Sequence, residues 1–255
     1  MDDMHPVGTY RIADIVIRVE SLYTSVQELC QSYRCDEEPE LVVRTSQADI
    51  DFERARSDAA DAAAGRAVRA YTDGYLETLA VYRQVAEAIP ARDMVLVHGS
   101  CVSVDGAAYL FCAPSGTGKS THVRLWRELL GERAIMVNDD KPIVRLTQDQ
   151  AIVYGTPWDG KHRLSSNIAV PLRAICLLGR DETNHIEQTS AKDAYFALLR
   201  QVYRPLDTAA LIHTLALVDS LAERVGLWRM GCNIDIEAAK VSFAAMSGEI
   251  GALDD

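Results

Sequence analysis

The stretch Ala113-Pro114-Ser115-Gly116-Thr117-Gly118-Lys119-Ser120 combines residue types suited to holding a polyphosphate. Gly116 and Gly118 can take backbone conformations closed to other residues, so successive N–H groups can turn inward to phosphate oxygens. The Lys119 ammonium would reach the terminal phosphates, and the Ser120 hydroxyl would ligate the Mg²⁺ that accompanies a nucleoside triphosphate such as ATP. The binding set read from this stretch is Ser115, Gly116, Thr117, Gly118, Lys119, Ser120 and Thr121. The general pattern is G-x-x-x-x-G-K-[ST], and Ala113 stands where its first glycine would be, the least obstructive replacement. Further along, Asp139 and Asp140 end an apolar run. One carboxylate could hold the metal beside Ser120, with Asp139 the metal-side candidate, and the other could accept a proton from an attacking hydroxyl. Which does which stays open in the sequence.

The flanking elements are those a phosphate loop needs. Residues 107–112 are an apolar run of strand length. Residues 121–130 place Val123, Leu125, Trp126, Leu129 and Leu130 on one helical face, and Gly131 can stop that helix. Strand, glycine-rich turn and helix N-terminus thus follow in order, and the helix dipole would add to the anion site. The aspartates close the strand at 134–137, and in α/β folds sites form at the carboxyl ends of strands. His98 closes the strand at 94–97; on spacing alone it reads as a polar strand-end residue.

Taken together, His98-Gly99, Ser115-Gly116-Thr117-Gly118-Lys119-Ser120 and Asn138-Asp139-Asp140 resemble the core of the HPr kinase/phosphorylase and ATP-dependent phosphoenolpyruvate carboxykinase superfamily of P-loop proteins. The resemblance covers roughly residues 94–180. It implies an α/β P-loop core of that type, with His98 near the transferred phosphoryl group and ATP and Mg²⁺ held by Lys119 and Ser120. It also implies that Asp139 or Asp140 activates the acceptor. The glycine-rich signature that HPr enzymes carry downstream is not found. In its place stands Gly155-Thr156-Pro157-Trp158-Asp159-Gly160-Lys161, which reads as a rigid, exposed turn. There Lys161 could point a cation at the γ-phosphate or the acceptor, Lys141 and Arg163 could contribute, and Trp158 could wall the acceptor pocket.

The rest of the chain supplies positions and exclusions. The residues at 8–20 alternate in strand fashion, 25–33 suggests a short helix, and 40–45 with 48–52 a second strand and its continuation. From 49 to 91 the pattern is helical, with charged faces expected to meet water. This gives a small α+β module with a helical linker over 1–90 and a nucleotide-binding domain over 91–255. Strands are expected at 101–104, 143–146, 151–154, 172–178 and 227–231, a further one at 185–188 beside the strand at 172–178, and helices at 191–203, 208–225 and 236–245. The 255 residues are 48% hydrophobic with a net charge of −11. No basic block suits nucleic acid, no apolar run reaches membrane-helix length, and the first residues lack a secretory pattern. Six scattered cysteines without a C-x-x-C pair argue against zinc or a disulfide framework. A cytoplasmic protein is expected, and its acidic surface permits a homo-oligomer. The favoured reading is a phosphotransferase moving the γ-phosphoryl of Mg-ATP to a hydroxyl of a protein, peptide or small metabolite. A nucleotide-sensing binding module and a carboxykinase-like lyase are the alternatives.

Overall fold

In the computed structural model, residues 5–249 are described. Residues 1–4 and 250–255, at the outer ends of the two expected domains, lie outside them, as does the start of the segment read for a secretory leader. The chain divides into two compact units, Met1–Ala88 and Ile89–Asp255.

In the first unit, β1 (Val7–Ile12) and β2 (Ile15–Glu20) form an antiparallel hairpin, and β3 (Leu41–Arg44) pairs with β2 in parallel. The alternating run at 8–20 is therefore two strands. Ala13 and Asp14 turn between them with φ of 52° and 60°, the backbone of a two-residue hairpin loop that Asn-Gly usually announces. Helices α1 (Ser25–Leu29), α2 (Gln47–Ala63) and α3 (Asp73–Ala88) follow. The expected strand continuation at 48–52 is the first turn of α2. Ser46 accepts from the Asp49 N–H and Asp49 from the Ser46 N–H, a capping box that starts a helix where β-type residues suggested otherwise. Nor do the charged helical faces all meet water: Glu53, Asp61 and Glu77 are buried. Arg83 reaches Glu53 and Asp49 at 2.7 Å each. Glu77 accepts from the N–H groups of Leu22 (2.6 Å) and Tyr23 (2.9 Å) and from the Thr45 hydroxyl (2.6 Å).

The second unit is built on a branched mixed sheet. Its strands are β4 (Met94–Leu96), β5 (Gly99–Val104), β6 (Ala107–Cys112), β7 (Ala134–Asn138), β8 (Ile143–Leu146), β9 (Ala151–Tyr154), β10 (Ala169–Arg180), β11 (His185–Gln188) and β12 (Gly226–Cys232). They run β4-β8-β9-β10-β6-β5-β7, and β12 branches from β10. β10 makes the branch possible by its length: Ala169–Pro171 pair with β9, while the residues beyond pair with β6 and β12. β11 pairs with β12 and not with β10, where the sequence had suggested it. β6, β10 and β12 are parallel, and β5 lies antiparallel between β6 and β7. The carboxyl ends of β6, β7, β10 and β12 and the start of β5 therefore share one edge. The segments at 94–97 and 101–104 are separate strands: β4 pairs with β8, and β5 lies elsewhere in the sheet.

Both faces are covered, so β6 and residues 174–178 of β10 are apolar, as parallel strands buried on two sides must be. Helices α5 (Ala191–Leu199) and α6 (Thr208–Arg224) bring Leu198, Val218 and Leu221 against Leu110, Val137 and Ile175. Helices α4 (Lys119–Leu130) and α7 (Ile236–Ser247) cover the other face through Val123, Trp126 and Phe243 against Tyr109, Phe111 and Cys176. All six cysteines are free thiols. Among the described residues, no helix is long and apolar enough to cross a membrane.

Candidate functional site

β6 delivers the chain to Ala113, which is 3% exposed and not among the residues with positive φ, so a methyl group fits where the pattern has glycine. Gly116 and Gly118 take φ of 79° and 124°, values that a Cβ would strain. The turn returns as α4, whose N-cap is Gly118. Arg180, at the end of β10, donates to the carbonyls of Gly116 and Thr117. A trans peptide points its N–H opposite its carbonyl, so the clamp on Thr117 turns the Gly118 N–H away from Arg180. Lys119 folds back under the loop and donates to the Ala113 carbonyl at 2.9 Å. Burial lowers its pKa; Cys112, Asp140 and, more weakly, Asp139 act in the opposite direction, and Lys141 adds to the lowering, so both carboxylates lie within electrostatic reach of the ammonium.

Asn138 organises the acidic turn. It is fully buried at the end of β7; its Oδ1 accepts from the N–H groups of Asp140 (2.9 Å) and Lys141 (2.6 Å), and its Nδ2 donates to the Thr156 carbonyl at 2.8 Å. That Asx turn sends the two aspartates into different surroundings. Asp139 is 6% exposed, and its Oδ1 accepts from the Ser100 hydroxyl at 2.7 Å. Asp140 is one-third exposed, with Lys141 Nζ at 3.3 Å and His98 Nε2 at 3.4 Å. The Gly99 N–H donates to the Asp140 carbonyl at 3.0 Å, which locks the start of β5 to this turn.

His98 bridges the cluster to the loop after α5. Its Nδ1 lies 3.2 Å from Gln201 Oε1. Burial, with Lys141 and Lys119 close by, pushes its pKa down to about 4, so the ring is neutral at pH 7. A neutral imidazole has one N–H. With Gln201 Oε1 as its partner, Nδ1 carries that proton and donates it to Gln201. Donation from Nε2 to Asp140 requires the Gln201 amide O and N exchanged, an assignment that rests on the hydrogen-bond network.

The segment at 155–161 is not the exposed turn expected from its sequence. Thr156, Trp158 and Asp159 are buried, and Lys161 is exposed. A Cβ on Gly155 would lie 1.9 Å from the Ser166 carbonyl oxygen and 2.6 Å from that of Val137. Backbone packing, not a free turn, requires this glycine. Thr156 in turn donates to the Lys141 carbonyl at 2.7 Å, tying the segment beneath the acidic turn. The cation beside Asp140 is accordingly Lys141. Asp159 adds a third carboxylate, its pKa raised by burial and, more weakly, by Asp139, with the Ser165 hydroxyl at 2.9 Å.

His98, Lys119, Asp139 and Asp140 thus gather at one sheet edge beside Ser115 to Thr121. Sequence reasoning gave no role to Ser100, Asp159, Arg180 or Gln201. Asn138 next to two aspartates carried a readable signal, since Asn before a turn caps its backbone. Gln201, 103 positions from its partner His98, carried none.

The donors at this edge fit Mg²⁺. Among the described residues no three His, Cys, Asp or Glu side chains form a metal cage, and Mg²⁺ bound with phosphates needs one or two carboxylates besides substrate oxygens and water. Asp139, with one oxygen engaged by Ser100, and the Ser120 hydroxyl supply hard oxygen donors of that kind.

No protein-family profile matches the sequence, and no curated protein matches it. Among solved structures, the HPr(Ser) kinase/phosphatase from Coxiella burnetii aligns over 48% of this chain and 93% of its own, at 14% identity and a TM-score of 0.27. So low a score leaves fold and function to the chain's own geometry.

Proposed function

We propose that this protein transfers the γ-phosphoryl group of Mg-ATP to a hydroxyl acceptor. One observation carries the reading: the buried Lys119 ammonium is rooted in a glycine turn at a helix N-terminus, at the sheet edge where β7 ends in Asp139 and Asp140, both within its electrostatic reach. Little covalent chemistry is asked of a protein in phosphoryl transfer; positioning and charge stabilisation carry it. The acceptor oxygen bonds to the γ-phosphorus as the bond to the β–γ bridging oxygen breaks. ADP leaves with that electron pair, and the acceptor proton passes to a carboxylate.

The surroundings of the two aspartates divide their roles. Asp139, buried and held by Ser100, suits the metal side with Ser120. Asp140, open to solvent and steadied by His98 and Lys141, suits the proton-accepting side. When bound, Mg²⁺ offsets charge on the phosphate oxygens. Lys119 and the loop N–H groups hold the same oxygens in place, and the neutral His98 ring, donating from Nε2, holds Asp140 in orientation.

The test follows label from [γ-³²P]ATP in purified protein supplied with candidate acceptors, with and without Mg²⁺. Wild-type protein should transfer label or release phosphate, and Lys119→Ala should lose ATP binding and turnover while keeping its circular dichroism spectrum. Turnover by Lys119→Ala at the parental rate would remove the assignment.

A further inference from the structure

A cavity of about 460 Å³ opens against the first residues of the phosphate loop, Ala113 and Pro114. Two of its wall residues belong also to the machinery above: Ala113 accepts from Lys119, and Gln201 holds His98, which touches Asp140. The rest of its polar wall carries more cationic than anionic groups. Arg180, Arg200 and Arg229 line it with His185, against Asp181 and Glu187.

The three arginines are not neutralised locally. Arg180 donates to loop carbonyls and Arg229 to the Asp193 carbonyl, which are neutral acceptors. Among the described residues, none of the three guanidinium groups forms an ion pair with a carboxylate. In a chain of net charge −11, such a concentration of unpaired guanidinium calls for an anionic ligand, since the planar fork matches a carboxylate or phosphate. The volume lies within the ~300–1,000 Å³ range of small-molecule pockets.

We infer that this cavity is the acceptor subsite, and that the acceptor is a small hydroxylated anion whose carboxylate or phosphate docks on Arg200 and Arg229. Its hydroxyl would then face the loop start at Ala113 and Pro114, with Gln201 in the same wall linked through His98 to Asp140. The inference rests on the phosphotransferase reading for the word acceptor; the anion site itself does not depend on it.

The test uses the full chain and isothermal titration without nucleotide. The probes are D-glycerate, glycerol 3-phosphate, glycerol as the neutral match, and an acetylated, amidated serine peptide with acidic neighbours. At least one small anion should bind ten times or more tighter than glycerol, and which one does separates a carboxylate from a phosphate ligand. The exposed double variant Arg200→Gln/Arg229→Gln should lose that preference at least tenfold, with ATP affinity changed less than threefold. Lys119→Ala should keep it, because the anion would not sit in the phosphate loop. Anion binding lost in Lys119→Ala but kept in the arginine variant overturns the assignment. So does equal binding of glycerol, the absence of binding by any small anion, or binding of the peptide alone. ATP failing to bind the wild-type chain while the arginine-dependent anion site persists would instead remove the phosphotransferase reading and leave the site standing.

Discussion

Asp140 and Lys141 are adjacent in sequence, and the chemistry at this edge turns on how differently they depend on their neighbours. Asp140 is reached by His98 Nε2 at 3.4 Å and Lys141 Nζ at 3.3 Å, yet enough of it is exposed to meet an acceptor. Asp140→Asn keeps the shape and the Asn138 turn but removes the carboxylate proposed to accept the proton. General-base contributions are typically ~10²–10⁴-fold, so turnover, read as ADP release with water or an acceptor, should fall by about that factor with ATP affinity within threefold of wild type. An unchanged rate would pass the role to Asp139 or Asp159. Lys141→Met and Lys161→Met form a second comparison. Lys141 is the part-buried ammonium beside Asp140, its pKa lowered chiefly by burial, whereas Lys161 is exposed. Turnover should drop at least tenfold in Lys141→Met and less than threefold in Lys161→Met; the reverse order would restore to Lys161 the role that its sequence suggested.

Among the elements, what was legible depended on whether the signal was local. The strand 107–112, the glycine turn and the helix after it could be read because each announces itself within a dozen residues, and the structure has them as β6, a positive-φ turn and α4. The β8–β9 hairpin and the acids ending β7 were legible for the same reason. Ala13-Asp14 escaped because a positive-φ pair was made without glycine, and 48–52 because the deciding residue, Ser46, lies before the segment. The branch of β12 from β10, and Gln201 behind His98, depend on long-range packing that no periodicity encodes. Glu77 is the clearest case of a charge read as surface and found in the interior. It fastens α3 to the end of β2 and to Thr45 after β3 by three hydrogen bonds. Glu77→Ala would strand two part-buried backbone N–H groups, and at the lower end of the ~1–3 kcal/mol for each unsatisfied donor the loss should be about 2 kcal/mol. A urea titration followed by circular dichroism measures it. A loss below about 1 kcal/mol would mean that water reaches those amides, and Glu77→Gln, which keeps an acceptor oxygen, should fall between.

At the scale of the whole molecule, the two histidines held neutral in the second unit tie the site to the stability of its fold. His122 is 2% exposed, packed on Phe111, with Nε2 at 2.9 Å from the Ser242 hydroxyl. Ser242 gives its own proton to the carbonyls of α7 and accepts from Trp126 Nε1 at 2.8 Å. His122 is thus the donor through Nε2, and Nδ1 is left unprotonated. Burial pushes its pKa down to about 4, and His98 is pushed to about 4 as well, against an unfolded value of 6.5. Between those values the unfolded chain binds more protons than the folded one. Their contribution to stability is therefore complete above pH 6.5 and is lost as pH falls toward 4, by up to ~1.4 kcal/mol per pH unit for each ring. The Asp61 carboxylate, lowered to about 2 by Arg69 and Arg66, loses its contribution only below its ordinary 3.8, outside this window. Urea midpoints at pH 7.5 and pH 5 for wild type, His122→Gln and His98→Gln isolate the two rings: each variant should show a smaller decline between the two pH values than wild type. Three equal declines would mean that neither ring is held neutral, and the neutral His98 proposed beside Asp140 would fall with it.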